Sequence, residues 1–258
     1  MSQPRILITG AAAGIGFAAA RRFAREGWEV GLMDLNEAAL AEAAAAVGDH
    51  CTGTWVVDVT DEQAVAEAVG EFARQGDGRL DVLLNSAGIL RIGPFAELSP
   101  GAHHQTFAIN VNGTINVCHA AYPWLRDTAG ARVINMSSAS ALYGVPQLAS
   151  YSASKFAVRG LTEALNIEWA GDDIQVCDIM PPFVRTTMLT SQQVQPPIIE
   201  RMGVNLVAED VAEAIWQSLT SEEVHLPVSR SFRALVNVSK WVPGRATRAI
   251  MQWLSRPA

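Results

Sequence analysis

Short apolar runs recur along this chain, and longer amphipathic stretches separate them. The runs are rich in β-branched residues and indicate buried strands. They lie at Arg5–Thr9, Trp28–Met33, Thr54–Val59, Leu80–Leu84, Arg132–Met136, Ile174–Met180 and Glu223–Val228. The stretches between them predict helices at Phe17–Glu26, from Asn36 as cap to Val47, at Asp61–Gln75 with Thr60 as cap, from Ser99 to about Leu125, from Tyr151 onward, and at Ala208–Leu219.

This alternation indicates one fold class. Strand and helix alternate about seven times with no linker, charge block or internal repeat. We therefore predict one α/β domain over residues 1–258, a single doubly wound parallel sheet of about seven strands with helices on both faces. Ligands of such sheets bind at the carboxyl ends of the strands. The polar residues that follow each strand are therefore the first candidates for a site.

The first strand leads into a glycine-rich turn, Gly10-Ala-Ala-Ala-Gly14-Ile-Gly16, and a helix follows. Glycine lets the backbone approach a pyrophosphate, and the helix N-terminus supplies N–H groups and positive dipole. Strand, glycine turn and helix in this order predict a dinucleotide site. The contacts expected from this turn are Gly10, Ala13, Gly14, Ile15 and Gly16.

Asp34 follows the second strand, 18 residues beyond Gly16. A carboxylate about 20 residues after such a turn holds the adenosine ribose hydroxyls of the cofactor. A 2′-phosphate would meet a like charge there, and neither Ala13 nor Leu35 offers a basic group. The sequence therefore favours NAD over NADP, with Leu35 beside Asp34 in the site. A simple turn role for Asp34 would leave this spacing to coincidence.

Two further strand ends carry candidates for cofactor contacts. Asp58 and Val59 close the third predicted strand, where Asp58 either faces the adenine or caps a turn. Asn85-Ser-Ala-Gly88 follows the fourth strand, and its small residues either bring the backbone close to the cofactor or simply turn tightly. Asn85, Ala87 and Gly88 are included among the predicted contacts.

The stretch from Ser138 to Lys155 carries a hydroxyl, a phenol and an ammonium group. Tyr151 and Lys155 are four residues apart in a predicted helix, so they share one face. A free tyrosine titrates near ~10, and we expect the neighbouring ammonium to lower the pKa of the Tyr151 phenol and make it useful in proton transfer. The alternative is an ordinary amphipathic helix start.

Asn110 is a polar residue inside the apolar segment Ala-Ile-Asn-Val of the long predicted helix, and Gly113 follows it. We expect its amide to be buried and hydrogen-bonded. It is either a core amide or part of a polar helix break beside an active site.

Composition and charge exclude several classes of protein. Apolar residues make up 49% and charged residues 17%, which is typical of a globular chain. The net charge of −7 argues against a nucleic-acid partner. Cys51, Cys118 and Cys177 are scattered through apolar segments, which favours reduced thiols and a cytoplasmic protein. The histidines lack metal-ligand spacing, so we expect no metal site.

These motifs together resemble the short-chain dehydrogenase/reductase family over about residues 5–228. The segment Thr9–Gly16 is similar to the family's cofactor loop, Thr-Gly-x-x-x-Gly-x-Gly, and Asn85-Ser-Ala-Gly88 is similar to its Asn-Asn-Ala-Gly. The family usually has Pro-Gly after the sixth strand, whereas Pro181 is followed here by Pro182. A second proline removes a backbone N–H beside the nicotinamide.

The resemblance also implies a Rossmann fold and a complete catalytic tetrad. Asn110, with Gly113 three residues later, matches the family's helical asparagine better than Asn112 does. Ser138, Tyr151 and Lys155 fall at the family's spacing. The remaining cofactor contacts that the resemblance implies are Pro181, Val184 and Thr186, together with Tyr151 and Lys155.

The resemblance implies reversible hydride transfer between NAD and a secondary alcohol or ketone. Tyr151 is then the acid or base, Ser138 binds the substrate oxygen, Lys155 lowers the phenol pKa and binds the nicotinamide ribose, and Asn110 holds a relay water. A homo-oligomer, either a dimer or a tetramer, through the Tyr151 and Ser99–Leu125 helices is also implied. A non-catalytic dinucleotide sensor or another reaction at the same site is the alternative.

Three segments are expected to face the substrate: 140–147, 89–95 and 187–207, of which the last covers the site. They are rich in apolar residues, so we expect a small apolar alcohol or ketone as substrate.

The C-terminal tail, residues 229–258, is basic and amphipathic. After Glu223 there is no acid, while basic and apolar residues alternate; the basic ones are Arg230, Arg233, Lys240, Arg245, Arg248 and Arg256. The tail either contacts an anionic membrane surface or packs over the site or a subunit interface with its arginines in solvent. The sequence favours packing.

Overall fold

The computed structural model describes residues 3–192, 196–239, 241 and 244–255. In these ranges the strands are β1 (Arg5–Thr9), β2 (Glu29–Asp34), β3 (Cys51–Val56), β4 (Val82–Asn85), β5 (Arg132–Met136), β6 (Gln175–Met180), β7 (Val184–Arg185), β8 (Leu206–Val207) and β9 (His225–Pro227). A parallel sheet has the order β3-β2-β1-β4-β5-β6-β9, and β7 pairs with β8 outside it. The strand order reverses between β1 and β4, which is where such sheets bind ligands.

Helices cover both faces of the sheet. They are α1 (Gly14–Arg25), α2 (Glu37–Val47), α3 (Glu62–Gln75), α4 (Pro100–Phe107), α5 (Thr114–Arg126), α6 (Ala149–Glu168), α7 (Thr187–Thr190), α8 (Pro197–Met202), α9 (Ala208–Ser218), α10 (Arg230–Ser239) and α11 (Gly244–Leu254). The apolar sides of α1, α2 and α9 form one core with the sheet, and those of α3, α5 and α6 form the other. The predicted doubly wound α/β fold is confirmed.

Local sequence signals explain most of the helix starts. The side chains of Asn36 and Ser99 accept hydrogen bonds from backbone N–H groups three residues later, as N-caps do. Pro100 occupies the first turn of α4, where its missing N–H has no cost. The cap of α3 is Asp61, not Thr60 as predicted, because the Asp61 carboxylate accepts from the Ala64 N–H and Thr60 donates to Asp58 instead.

The third strand was placed three residues too late. The sequence predicted Thr54–Val59, whereas β3 is Cys51–Val56. Val57 and Val59 are buried by packing against the α3 and α5 side of the sheet, outside strand pairing. Their apolar side chains therefore led to the wrong strand prediction, because β3 itself is half-exposed at the sheet edge.

The long predicted helix from Ser99 to Leu125 is present, but it is not uniform. A π-helical segment, Ala108–Gly113, joins α4 to α5 and contains Asn110. Such segments release backbone groups from the regular helix ladder and occur often at functional sites. Adding a Cβ to Gly113 would bring it within 2.5 Å of the Val59 side chain, so the close approach requires glycine.

The C-terminal helices pack beside the carboxyl edge of the sheet. Phe232 and Val236 of α10 join a buried cluster with Met180. Met251 and Leu254 of α11 pack against the apolar cluster around Leu90, Leu148, Leu189, Ile198 and Ile199. Arg245 and Arg248 are exposed. Lys240, Val242 and Arg256 of the tail, and positions 193–195 of the predicted covering segment, lie outside the described residues.

A membrane-spanning helix would have to be longer and more apolar than any helix in the described part of the chain.

Candidate active site

A cleft opens at the carboxyl edge of the sheet, where the strand order reverses. Twelve of the predicted site residues line it: Gly10, Ala13, Gly14, Ile15, Asp34, Gly88, Ser138, Tyr151, Lys155, Pro181, Val184 and Thr186. They come from the ends of β1, β2, β4, β5 and β6, from the start of α1, from β7 and the residue after it, and from the first two turns of α6. Because parallel strands end at the same edge, residues far apart in sequence meet here.

The glycine turn forms the floor of one end of the cleft. Gly10 and Gly14 have positive φ angles of 64° and 57°, which favour glycine. A Cβ on Gly10 would lie 2.8 Å from the Ala87 backbone. Gly16 does not line the cleft: a Cβ there would lie 2.1 Å from the Gly10 carbonyl, so this glycine allows α1 to pack on the turn.

The N-terminus of α1 faces this turn without a side-chain cap. Ala13 is the N-cap residue and offers no hydrogen bond to the helix. The first N–H groups of a helix that lack a cap attract an anion, and the helix dipole adds to the attraction. The turn can therefore hold the pyrophosphate of a dinucleotide, with Thr186 facing Gly14 across the cleft at 3.7 Å from the position of an added Cβ.

Asp34 ends β2 at the rim of the cleft. Its two carboxylate oxygens accept hydrogen bonds from the backbone N–H groups of Ala12 and Asn36, each at 3.0 Å. The aspartate therefore fastens the glycine turn and still leaves lone pairs for ribose hydroxyls. Leu35 lies beside it and is 66% exposed, so an apolar side chain stands where a phosphate-binding base would be needed.

Asp58 and Val59 are not among the residues that line the cleft. The Asp58 carboxylate accepts from the backbone N–H of Thr60 at 2.9 Å and from its hydroxyl at 2.8 Å, which is the turn-capping arrangement. Val59 is buried in the core beneath. Their contact with the adenine remains a prediction.

Asn85 and Ala87 support the cleft from below. The Asn85 amide donates to Asn135 Oδ1 at 2.9 Å and to Cys118 Sγ at 3.2 Å, within the sheet. The Ala87 N–H donates to the Thr9 hydroxyl at 3.1 Å. Gly88, in contrast, lines the cleft, and a Cβ there would lie 3.2 Å from Asn110 Oδ1 and 3.9 Å from Lys155 Nζ.

The tyrosine, serine and lysine predicted from the sequence meet at one place. Ser138 follows β5, while Tyr151 and Lys155 lie four residues apart on one face of α6. The Ser138 side chain is close enough to the Tyr151 phenol to lower its pKa, and its hydroxyl oxygen accepts from the Ser140 N–H at 3.1 Å. Lys155 Nζ donates to the Met136 carbonyl at 2.7 Å and lies 5.6 Å from the centre of the Tyr151 ring.

The electrostatics correct one expectation. Burial raises the pKa of the Tyr151 phenol, and the Ser138 side chain opposes this only in part. The expected net lowering of this pKa by Lys155 was therefore wrong for the protein by itself. The cause is the desolvation of the phenol itself. Burial also lowers the pKa of the Lys155 ammonium to about 8, although the charge of Asp178 opposes that shift.

Asn110 is buried beside the cleft, as expected for a hydrogen-bonded amide. Its Oδ1 accepts from the Ile89 N–H at 2.8 Å, and its Nδ2 donates to the Ile89 carbonyl and the Ser154 hydroxyl, each at 3.0 Å. The side chain thus clamps the loop after β4 onto α6. Both amide hydrogens are used, so a relay water would have to bind at an oxygen of Asn110.

Several residues that line the cleft were missed from the sequence. They are Ser86, Met136, Ser137, Leu148 and Phe183. Met136 and Ser137 sit at the end of β5, so the rule that ligands bind at strand ends could have found them. Leu148 and Phe183 carry only an apolar signal, which does not distinguish a cleft wall from a core. The second proline, Pro182, lines the cleft beside Pro181.

The geometry agrees with what comparison with known proteins finds. The sequence model of the family described as short chain dehydrogenase matches residues 4–196. D-threitol dehydrogenase of Mycolicibacterium smegmatis is 39% identical over 188 residues, covering 70% of this chain and 70% of that protein. Sulfoacetaldehyde reductase 2 of Chromohalobacter salexigens is 34% identical over 232 residues, covering 87% and 91%.

A solved structure shares the same fold. A variant of actinorhodin polyketide ketoreductase with NADPH superposes with a TM-score of 0.79 at 27% sequence identity, covering 88% of this chain and 95% of that one. Residues 4–196, which the family model matches, contain the glycine turn, the cleft and the Ser-Tyr-Lys group described above. The chain therefore belongs to the short-chain dehydrogenase family.

Proposed function

We propose that this protein is an NAD-dependent oxidoreductase that moves a hydride reversibly between the cofactor and an apolar secondary alcohol or ketone. One observation carries the proposal. The Tyr151 phenol, next to Ser138 and on the same helix face as Lys155, lies in a cleft that begins at an uncapped glycine turn. The names of the relatives, a dehydrogenase and two reductases, support alcohol and carbonyl chemistry.

The residues of the cleft fit a nicotinamide dinucleotide. Gly10, Gly14 and the free end of α1 would hold its pyrophosphate, and Asp34 its adenosine ribose. Lys155 and Tyr151 would bind the nicotinamide ribose, and Val184 and Thr186, which line the same cleft, would hold the carboxamide. Bound NAD supplies the hydride acceptor, and the protein supplies position and electrostatics.

Proton transfer falls to Tyr151. In alcohol oxidation its phenolate accepts the hydroxyl proton, and in ketone reduction its phenol donates a proton to the developing alkoxide. Ser138 holds the same oxygen in reach. The raised pKa of the free phenol favours the donor role, so the positive charge of Lys155 and of the oxidised nicotinamide is required for the acceptor role.

The walls of the cleft favour an apolar substrate. Leu90, Leu148 and Leu189 line it, and Phe183 and Met188 stand beside them. Leu90, Leu148 and Leu189 belong to one buried cluster with Ile198, which holds the segment after β6 over the site. A substrate with apolar groups next to its carbinol carbon would displace water from this surface.

A homo-oligomer, dimer or tetramer, is part of the proposal. The helices expected at its interface expose large apolar side chains, namely Phe107 on the α4 side, Ile115 on α5, and Phe156 and Ile167 on α6. Large apolar side chains that are exposed to water on neighbouring helices favour association with a second copy of the chain.

The test is NADH formation, followed by absorbance, with a panel of apolar and polar secondary alcohols. Tyr151→Phe should lower turnover by a factor of about 100 or more, since it removes the proton-transfer group. Its NAD affinity should stay nearly unchanged. Tyr122→Phe is the matched control, because the Tyr122 hydroxyl bonds Asp172, outside the cleft.

Full activity in Tyr151→Phe would contradict the assignment of this residue. NAD binding without turnover of any alcohol or ketone in the panel would instead support a dinucleotide sensor.

A further inference from the structure

A row of polar side chains crosses the sheet just below the cleft. Thr9, Asn85, Asn135, Asp178 and His225 are register partners on the neighbouring strands β1, β4, β5, β6 and β9. The first four are buried. Residues at the same register in parallel strands point to the same face of a sheet. These five side chains therefore form a continuous row.

On the same face of the sheet, the positions just below this row are apolar. They lie two residues before each of the first four members and belong to the core that α3, α5 and α6 cover: Leu7, Leu83, Val133 and Val176. A carboxylate at Asp178 is costly there unless it is paired. The Asp178 carboxylate buries no apolar surface, so its presence in this core points to an electrostatic role.

His225 and Glu163 provide the pairing. The Asp178 Oδ2 lies 2.9 Å from His225 Nδ1, and His225 Nε2 lies 2.7 Å from Glu163 Oε1. Arg159 Nε lies 3.4 Å from Glu163 Oε1. An imidazole between two carboxylates is favoured as the imidazolium. The second oxygen of Asp178, Oδ1, has no hydrogen-bond partner within the described residues.

Lys155 is above the same part of the row. Its Nζ donates to the carbonyl of Met136, the residue after Asn135. Seven residues further along α6, the Thr162 hydroxyl accepts from the Asn135 amide at 3.0 Å. Helix α6 thus lies along the row, with its lysine toward the cleft and Glu163 toward His225.

We propose that Asp178 is the buried counter-ion of Lys155, and that His225 and Glu163 hold Asp178 in its charged form. Asp178 and His225 are then positioning residues that act through Lys155. The catalytic consequence rests on the proposed function, whereas the electrostatic link does not depend on it.

The directions of the pKa shifts agree with this geometry. Burial lowers the pKa of Lys155 to about 8, and the charge of Asp178 opposes that shift. Burial raises the pKa of Asp178, against the hydrogen bond and charge of His225. Burial lowers the pKa of His225, but Asp178 and Glu163 more than offset this, so its pKa is raised. Arg159 is the remaining charged group that faces the histidine.

The chain offers a direct measurement, because Lys155 and Lys240 are its only lysines. Protein labelled with lysine carrying ¹³C at Cε should show two resonances, which Lys240→Arg assigns. Titration gives the Lys155 midpoint without any need for turnover. We expect a midpoint near 8 in the wild-type protein. In Asp178→Asn it should fall by roughly one pH unit or more.

The controls separate charge from damage to the fold. Asparagine keeps an acceptor for His225, so Asp178→Asn preserves the hydrogen bond. His225→Gln should move the Lys155 midpoint in the same direction by less, and it serves alone if Asp178→Asn does not fold. His50→Gln, beyond the row, should leave the midpoint unchanged. An unchanged midpoint in a folded Asp178→Asn or His225→Gln variant would overturn the inference.

A second part of the test measures enzyme activity and depends on the proposed function. If the protein turns over an alcohol, the alkaline limb of kcat/KM against pH should move down in Asp178→Asn by the shift measured for Lys155. A Lys155 shift with no turnover in any variant would retain the electrostatic link and reject the proposed function.

Discussion

The choice between NAD and NADP should depend on the charge of Asp34. The variant Asp34→Asn removes this charge while keeping the shape of the side chain. One of the two hydrogen bonds to the Ala12 and Asn36 N–H groups is lost, because an amide has a single acceptor oxygen. This loss should lower stability by about 1 kcal/mol. The fold should therefore survive, and the change in cofactor preference can be measured.

Coulomb's law sets the size of the effect. Two like unit charges about 4 Å apart repel by roughly 1 kcal/mol in water and by about 4 kcal/mol near a protein surface. Asp34 is only partly buried, so about 2 kcal/mol is a reasonable value for the 2′-phosphate. Since 1.4 kcal/mol corresponds to a factor of ten, the preference for NAD should fall by roughly 30-fold.

The assay compares kcat/KM for NAD and NADP with one alcohol, in the wild-type protein and in Asp34→Asn. Adding Leu35→Arg should improve NADP further, because Leu35 is exposed next to Asp34 and a guanidinium binds phosphate through two hydrogen bonds. Glu37→Gln removes a nearby charge on α2 and is the matched control. A preference that stays within about threefold of wild type in Asp34→Asn would refute the electrostatic argument.

Two further predictions concern stability and assembly. Burial lowers the pKa of Lys155 from 10.5 to about 8, which costs the folded state about 3 kcal/mol at neutral pH. This cost is fully present below pH 8 and disappears as the pH rises toward 10.5. Lys155→Met should therefore abolish turnover, and its free energy of unfolding relative to the wild-type protein should be about 2 kcal/mol higher at pH 7 than at pH 10 in urea titrations. The same difference at both pH values would contradict a buried charge at Lys155. Phe156→Glu should dissociate the proposed oligomer, because it places a charge at an apolar interface, and light scattering should then report a lower mass than for Ser150→Ala; an unchanged mass would place the interface elsewhere.

The sequence determined those features that depend on neighbours along the chain. The glycine turn, the N-cap Asn36, the helix start at Ser99, and the spacing of Tyr151 and Lys155 each lie within a single turn or helix. Local backbone geometry fixes such contacts, and the structure shows them as predicted. Alternation of strands and helices also indicated the fold class, since a parallel sheet covered by helices on both faces buries all the apolar runs.

Tertiary structure decided which polar residues face the cleft and which face the core. The sequence placed Asn85 and Asp58 at strand ends, as it did Asp34, yet the Asn85 side chain bonds within the sheet and Asp58 caps its own turn. The partners of Asn110 lie 21 and 44 residues away, so nothing near it in the sequence could indicate the clamp on Ile89.

The row that ends at Asp178 and His225 shows most clearly what the sequence could not predict. Each member follows or belongs to a different strand, and the sequence marks none of them as a group. Their alignment depends on strand register, which the packing of both cores sets. The same packing surrounds Lys155 and much of Tyr151 with protein, and the resulting desolvation reverses the expected direction of the tyrosine pKa shift. Residue types and spacing therefore identify the catalytic groups. Burial and strand register, which depend on the whole chain, determine the pKa values and hence the charges of those groups.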